Sequence, residues 1–269
     1  MKKLIVPILA LIFMSCEEEL AKVADSAAAV ETLNEFVIVN KVFQDAGNNS
    51  GDAVFSAQVK ATPTKINESK TNGPDITVTP FDLTTFPKTI VIDYGDGILC
   101  EDGITRKGIA TILSVNNWYG VPGSEHTTTF TNYYHNDYKV EGTHKVVNLG
   151  ENNDGDLQYS VSIENGKITT STGKTISYTE NSTRTWVAGS STPLNIWDDE
   201  YTLNGTQTGV SSKGVSYSIT TEESLHFVLK PRNIKSGILD ITVGSIDDIK
   251  MNFTTSTITI LGKEFPILN

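Results

Sequence analysis

The chain has 269 residues and carries 32 Asp and Glu against 21 Lys and Arg, a formal net charge of −11. Such an acidic balance argues against a nucleic-acid binder, because phosphates need a basic face, and against adhesion to anionic lipid by charge alone. Only two cysteines are present, too few for a disulfide-stapled scaffold, and a chain of this length buries enough core to do without one.

Met1-Lys2-Lys3 opens the chain, and an apolar run from Leu4 to Met14 follows. A positive head, about a dozen apolar residues and a small residue before the cut describe a secretory signal over 1–15. A spanning helix would need roughly 20 apolar residues, and no later segment supplies them. Phe13-Met14-Ser15-Cys16 resembles a lipobox, with Phe where Leu or Val is commoner. In such sequences the cysteine takes a diacylglycerol, is further acylated by chains such as palmitate, and becomes the new N-terminus. Each buried acyl CH₂ contributes about 0.8 kcal/mol, so two or three chains on Cys16 would hold the protein on a membrane. The plain alternative is a secreted protein with a chance cysteine near its cut.

Residues 16–25 read as a polar tether and 26–50 as a helix. Val30, Leu33, Phe36 and Val37 follow a three-four spacing that Asn40 interrupts and Phe43 resumes. Asp25 or Ser26 would cap its start, and Gly47-Asn48-Asn49 would end it. The β-branched run Val37-Ile38-Val39 leaves an extended second half as the alternative. Residues 51–269 form the predicted β body. Pro63, Pro74, Pro80 and Pro87 make 61–88 an irregular crossing segment. Beyond it, period-two alternation between Gly, Asn and Asp turns predicts strands. These are Thr89–Tyr94, Gly108–Val115, His126–Tyr134, Tyr138–Asn148, Leu157–Glu164, Lys167–Thr170, Thr175–Thr179 and Arg184–Val187. Glu200–Thr208, Val215–Thr221, Leu225–Leu229, Gly237–Val243, Ile249–Phe253 and Thr257–Leu261 follow.

Two turns are specific. Asn165-Gly166 between Val161-Ser162-Ile163-Glu164 and Lys167-Ile168 is the strongest short hairpin signal. Asn136-Asp137 does similar work and sets a register: His135 opposite Tyr138 and Tyr133 opposite Val140, all four on one face. YKVEGT (138–143) resembles YTLNGT (201–206), and Lys107-Gly108-Ile109 resembles Ser236-Gly237-Ile238. Two related meander halves would explain this, as would chance among Thr/Gly-rich strands. The expected fold class is all-β, antiparallel meander sheets with one N-terminal helix.

Several residues resemble those of known lipoproteins. FPKTIVIDYGDG (86–97) with DGITRKG (102–108), NYYHNDYKVEGT (132–143), ENGKI (164–168) and TRTW (183–186) are similar in order to a group of Bacteroidota-type lipoproteins. The resemblance covers roughly 26–265. It departs at Met251-Asn252-Phe253-Thr254-Thr255, where a second acidic, Cys-bearing glycine turn is often seen. It implies a cell-envelope address and an all-β body, and it carries no activity. By the same resemblance, Glu17, Glu18 and Glu19 are similar to a signal for outer-surface display, against the plain reading of a polar tether. Asp25-Ser26-Ala27 is similar to an O-glycosylation motif on Ser26.

The chemistry-bearing residues do not assemble into a motif. His126, His135 and His144 are spaced by nine, but counting by twos puts His126 on the face opposite the other two. His144 lies about 20 Å along the strand from the partner of His135 at 3.4 Å per residue, too far for one metal. They read as histidines at a sheet surface, and His226 stands apart. Cys100 sits in an acidic glycine loop that does not favour a thiolate. Asp93, Asp96, Glu101, Asp102, Asp198, Asp199, Glu200, Asp247 and Asp248 could supply a carboxylate pair for glycoside hydrolysis, or they simply form turns. Glu151, Asn153, Asp154 and Asp156 offer calcium-type oxygens without a complete loop, or a solvated hairpin tip. Trp118, Tyr119 and Trp197 beside Asn and Asp could stack a sugar ring, or pack in the core.

The expectation is therefore a lipid-anchored outer-membrane protein whose body binds a glycan or protein partner without enzymatic activity or cofactor. The alternatives are a carbohydrate-active enzyme using turn carboxylates and a purely structural envelope module.

Overall fold

The computed structural model describes residues 10–61, 73–192, 195, 198–229 and 232–267. One helix, α1 (Ala10–Ala61), precedes β1 (Asp75–Thr79), β2 (Lys88–Asp93), β3 (Ile98–Leu99), β4 (Thr105–Ser114) and β5 (Glu125–His135). Then come β6 (Tyr138–Glu151), β7 (Leu157–Thr169), β8 (Thr175–Ala188), β9 (Glu200–Val210) and β10 (Ser216–Leu229). β11 (Arg232–Val243), β12 (Ile246–Asn252), β13 (Thr257–Ile260) and β14 (Lys263–Pro266) complete the order. All are antiparallel in one sheet, each strand bonded to the next, with β3 beside the path on β4. The all-β meander with one helix is as the alternation dictates, and it is one sheet rather than two halves.

The inner face carries the alternating apolar set, including Ile90, Ile92, Ile112, Tyr133, Tyr159, Ile163, Ile219 and Ile241. It packs on α1 through Leu33, Phe36, Phe43, Val54 and Ala57, which share its core cluster. From Val42 to Gly47 every helix residue is buried. A helix buried all round is interior rather than surface structure, so α1 is the filling of the curved sheet.

The helix has a direction. Glu31 pairs with Lys213 and Glu35 accepts the Ser212 N–H (2.7 Å) at the β9–β10 turn. Phe55 meets Tyr119 (5.2 Å) and Trp186 (6.2 Å) at the opposite end. We call these the near end and the far end. The connections after β1, β4, β6 and β8 lie at the far end.

α1 passes through Gly47-Asn48-Asn49, where the sequence ends it. The reason is packing. A Cβ on Gly47 would lie 2.7 Å from His144 Nε2, and one on Gly51 would lie 3.4 Å from the Tyr119 ring. These glycines admit side chains from the sheet, so they do not act as a cap. The backbone helix also continues over 16–25, which the sequence reads as a tether. β1, β3 and β14 fall outside the predicted strand set.

A line of irregularities crosses the sheet. Register shifts occur at Lys107/Ile109 between β4 and β5, and at Thr129/Tyr133 between β5 and β6. Others fall at Glu141/Thr143 between β6 and β7, and at Ile163/Gly166 between β7 and β8. Gly108, Asn132, Gly142, Asn165 and Gly237 have positive φ along this line. A Cβ on Gly166 would meet the Tyr178 carbonyl oxygen at 2.5 Å and Phe43 Cζ at 3.1 Å. Bulges of this kind bend strands and raise twist, so the line curls the sheet around the helix. Asn165-Gly166 is therefore a bulge inside the continuous β7, and the expected hairpin there does not exist. The same holds for the other split strands, now joined as β8 and β10. The resemblance of 138–143 to 201–206 and of 107–109 to 236–238 is accounted for too. Gly142 and Gly237 sit at register shifts, and a Cβ on Gly108 or Gly205 would clash with the neighbouring strand.

The Asn136-Asp137 hairpin has the expected register, His135 opposite Tyr138 and Tyr133 opposite Val140. The histidine parity does not hold, because the bulge at Asn132 flips alternation within β5. His126, His135 and His144 all point inward and are buried, which corrects the surface reading.

Candidate functional site

β8 brings Tyr178, Glu180, Ser182, Arg184 and Trp186 to the inner face by simple alternation. α1 lays Asn40, Gln44 and Asn48 against them at four-residue spacing. The Asn40 amide donates to Tyr178 Oη (2.8 Å), and the Tyr178 hydroxyl donates to Glu180 Oε2 (2.8 Å). Gln44 Nε2 donates to Glu180 Oε2 (3.2 Å), and its own carbonyl accepts from Arg184 Nη2. Arg184 Nη1 donates to Asn48 Oδ1 (2.8 Å). The Gln44 amide thus bridges a buried carboxyl group and a buried guanidinium, its N–H end toward Glu180 and its carbonyl toward Arg184. Burial pushes the Glu180 carboxyl up, opposed by its hydrogen bonds from Ser182 and Tyr178.

At the far end this ladder reaches a small cavity lined by Asp52, Tyr159, Arg184, Trp186, Asp199 and Tyr201, among others. The Arg184 guanidinium lies 4.8 Å from the Tyr201 ring centroid. Asp199 accepts the Trp186 indole N–H (3.1 Å) and the Tyr201 hydroxyl (2.8 Å). Burial raises its carboxyl to about 6, so it titrates near neutrality. The Tyr159 hydroxyl is buried and makes no hydrogen bond among the described residues. The cavity measures about 20 Å³, room for about one water. A drug-sized ligand needs roughly 300–1,000 Å³, so this cavity seats a solvent-sized polar group and no sugar ring.

The histidines occupy separate niches. His126 Nδ1 is 2.8 Å from Ser114 Oγ and its ring stacks on Tyr119 (5.1 Å). His135 Nε2 meets Asp45 Oδ2 at 3.0 Å. His144 lies against Gly47. Burial lowers His126 to about 4 and His144 to about 3, so both are neutral at pH 7. His226 pairs with Glu200 (2.7 Å).

Trp118 and Tyr119 are not exposed stacking faces. Both are buried. The Trp118 indole donates to the Leu83 carbonyl (2.9 Å), and Lys88 Nζ lies 5.3 Å over its ring. Tyr119 stacks on Tyr159 (4.9 Å). Trp197 lies outside the described residues. Side chains of Cys16, Glu17, Glu18, Glu19 and Ser26 also lie outside the described part of α1.

The loop bearing Glu151, Asn153, Asp154 and Asp156 is closed by Asn152, whose Oδ1 accepts the N–H groups of Asp154 (2.9 Å) and Asp156 (2.8 Å). Among the described residues no group of three or more His, Cys, Asp or Glu is placed to hold a metal ion. Three of the other carboxylates serve local structure. Asp93 accepts the Gly95 N–H (2.8 Å), Asp102 forks onto Arg106 (2.6 and 2.9 Å), and Asp198 accepts the Thr192 hydroxyl (2.8 Å). Cys100 is a half-buried free thiol.

Sequence reasoning missed Arg184, Tyr201 and the ladder. The signal was present: two charged residues, Glu180 and Arg184, stand on the same alternating face as Tyr178 and Trp186. Asn40, Gln44 and Asn48 repeat at one helix face. Asn40 reads as an interruption of the apolar stripe, Asn48 as part of the helix end and Arg184 as the start of a strand.

The architecture defines an all-β meander wrapped on an N-terminal helix. Comparison of the chain with protein-family models, with curated proteins and with solved structures finds no match.

Proposed function

We propose that this protein is a lipid-anchored envelope protein, attached to the outer membrane through Cys16, and that its β body is a non-enzymatic interaction module for protein or glycan. The observation that carries the second half is the filled interior. α1 occupies the space inside the sheet, and the cavity beside Arg184 and Asp199 admits little more than a water. Recognition then falls to the outer surface. The first half is supported by the positive head, apolar run and cysteine of residues 1–16, and by the resemblance to envelope lipoproteins.

Mass spectrometry of the mature protein tests the anchor. The expected product begins at an acylated Cys16, and Cys16→Ser protein should leave the detergent phase. An unmodified N-terminus in a freely secreted product rejects it. Protease treatment of intact cells tests display by Glu17, Glu18 and Glu19; a body cut only after outer-membrane permeabilisation rejects display. A glycan array separates binding from catalysis. Retention without product is expected, whereas turnover abolished by one carboxylate change would establish a carbohydrate-active enzyme instead.

A further inference from the structure

The cavity at the far end has a floor and a mouth. Tyr159, Arg184, Trp186 and Asp199 make the floor, and all four are buried. Asn48, Asp52, Phe55 and Tyr201 are half-buried and make the mouth, where the cavity meets the outer surface. The Phe55 and Tyr201 rings lie 6.2 and 5.9 Å from that of Trp186, so aromatic surface runs from mouth to floor.

The hydrogen bonding of the floor is incomplete. Tyr159 is 1% exposed, and its hydroxyl has no partner among the described residues. A buried hydroxyl without a partner is costly, so the cavity favours a group that bonds it. Asp199 accepts from Trp186 and Tyr201, and a carboxylate has room for about four such bonds. Arg184 is already engaged by Asn48 and Gln44. Its charge is opposed by that of Asp199, so the floor selects neither an anion nor a cation. Asp52 adds a negative charge only at the mouth, where solvent screens it. A neutral group that both donates and accepts answers the floor: it can accept from Tyr159 and donate to Asp199.

Size narrows the choice. Room for about one water takes a hydroxyl whose single CH₂ stem lies in the mouth. A secondary alcohol on a ring brings two further carbons and is too wide. Hexoses and serine both carry a primary alcohol. The aromatic mouth favours the sugar, whose ring presents an apolar C–H face beside its hydroxyls. Peptide amides around a serine would lose their hydrogen bonds to water against the same rings.

We propose that this cavity is the socket for the exocyclic hydroxymethyl group of a hexopyranoside, with the sugar ring held outside it against Phe55 and Tyr201. The inference deepens the glycan branch of the interaction reading above and rests on it. It does not depend on Cys16.

The test is saturation-transfer NMR on the purified protein with methyl glucoside, methyl galactoside and methyl mannoside. Their 6-deoxy counterparts and methyl xyloside lack the hydroxyl or the whole hydroxymethyl group. At least one hexoside should bind, with its C6 protons most strongly saturated. Its counterparts should bind at least about tenfold more weakly, because a site built for a hydroxyl rejects analogues without it. Tyr159→Phe should bring the hexoside down to the level of its 6-deoxy counterpart. The melting temperature should hold or rise, since that hydroxyl has no partner to lose. Phe55→Leu should weaken hexoside and 6-deoxy sugar alike, as loss of a ring contact must. Equal binding of hexoside and 6-deoxy sugar would overturn the proposal, as would no binding of any hexoside or an unaffected Tyr159→Phe protein. Equal competition by N-acetylserine amide would overturn it in favour of a protein ligand. Retention on a glycan array that survives Tyr159→Phe would reject this site and leave the interaction reading standing.

Discussion

Gly47→Ala sets local and tertiary physics against each other. In an isolated helix the change is favourable by about 1 kcal/mol, because alanine loses less backbone freedom than glycine. In this protein the new methyl would lie 2.7 Å from His144 Nε2 and 2.8 Å from Cε1. His144 is only 2% exposed, so the ring has nowhere to turn. Overpacking of this kind costs about 1–3 kcal/mol. The expected net is a loss of up to about 2 kcal/mol, or up to about 4 °C in Tm for a chain of this size. The measurement is urea unfolding followed by tryptophan fluorescence. The decisive control is the same change made in His144→Ala protein, where the ring is gone. There Gly47→Ala should stabilise by about 1 kcal/mol, giving a coupling of about 1–3 kcal/mol between the two sites. Stabilisation by Gly47→Ala in both backgrounds would refute the packing of α1 against β6.

Gly166→Ala should be more costly, about 2–4 kcal/mol, because the added carbon meets the fixed Tyr178 carbonyl as well as Phe43; calorimetry of the variant checks this. The acid limb of stability should follow the buried histidines. Their folded values, about 4 for His126 and about 3 for His144, lie below the unfolded value of 6.5. The unfolded chain therefore binds protons first as pH falls from 6.5. Stability is complete above that value and is lost on acidification at up to about 1.4 kcal/mol per pH unit for each histidine. Asp199 acts in the opposite sense between its ordinary 3.8 and about 6, since the fold favours its neutral form. His126→Asn/His144→Asn protein should show a flatter urea midpoint between pH 6.5 and 4; an unchanged slope would contradict the burial. Trp118→Phe removes the bond to Leu83 and weakens the contact with Lys88. It should cost about 1–2 kcal/mol, read by thermal melting, and leave any retention on a glycan array intact.

Strand content was legible because one face of each strand is buried, and burial at every second residue writes itself into the sequence. The Asn136-Asp137 register was legible for the same reason. Asn165-Gly166 misled because positive φ serves a hairpin turn and a bulge equally well, and only the neighbouring strand decides between them. That ambiguity propagated. A bulge at Asn132 inverts alternation, so His126 was assigned to the wrong face. The helix was legible as far as Phe43. Its continuation was not, because Gly47 and Gly51 answer to His144 and Tyr119, which are about 70–100 residues away in the chain. Trp118 beside Asn117 and Gly120 reads as a loop tip, and nothing local reveals that Leu83 and Lys88 close over it. The Arg184–Gln44–Glu180 ladder joins residues more than 130 apart and lies beyond any local rule.

The helix that fills the sheet is also the first described element of the chain, and this orders assembly during synthesis. Neighbouring strands zip to one another over short separations, an arrangement that favours quick, stepwise growth. Their shared inner surface stays wet until the leading helix is grasped by segments made much later, such as Tyr178 and Ser212. Until the β9–β10 turn exists, the growing half-wrapped ribbon is the species most in need of a chaperone.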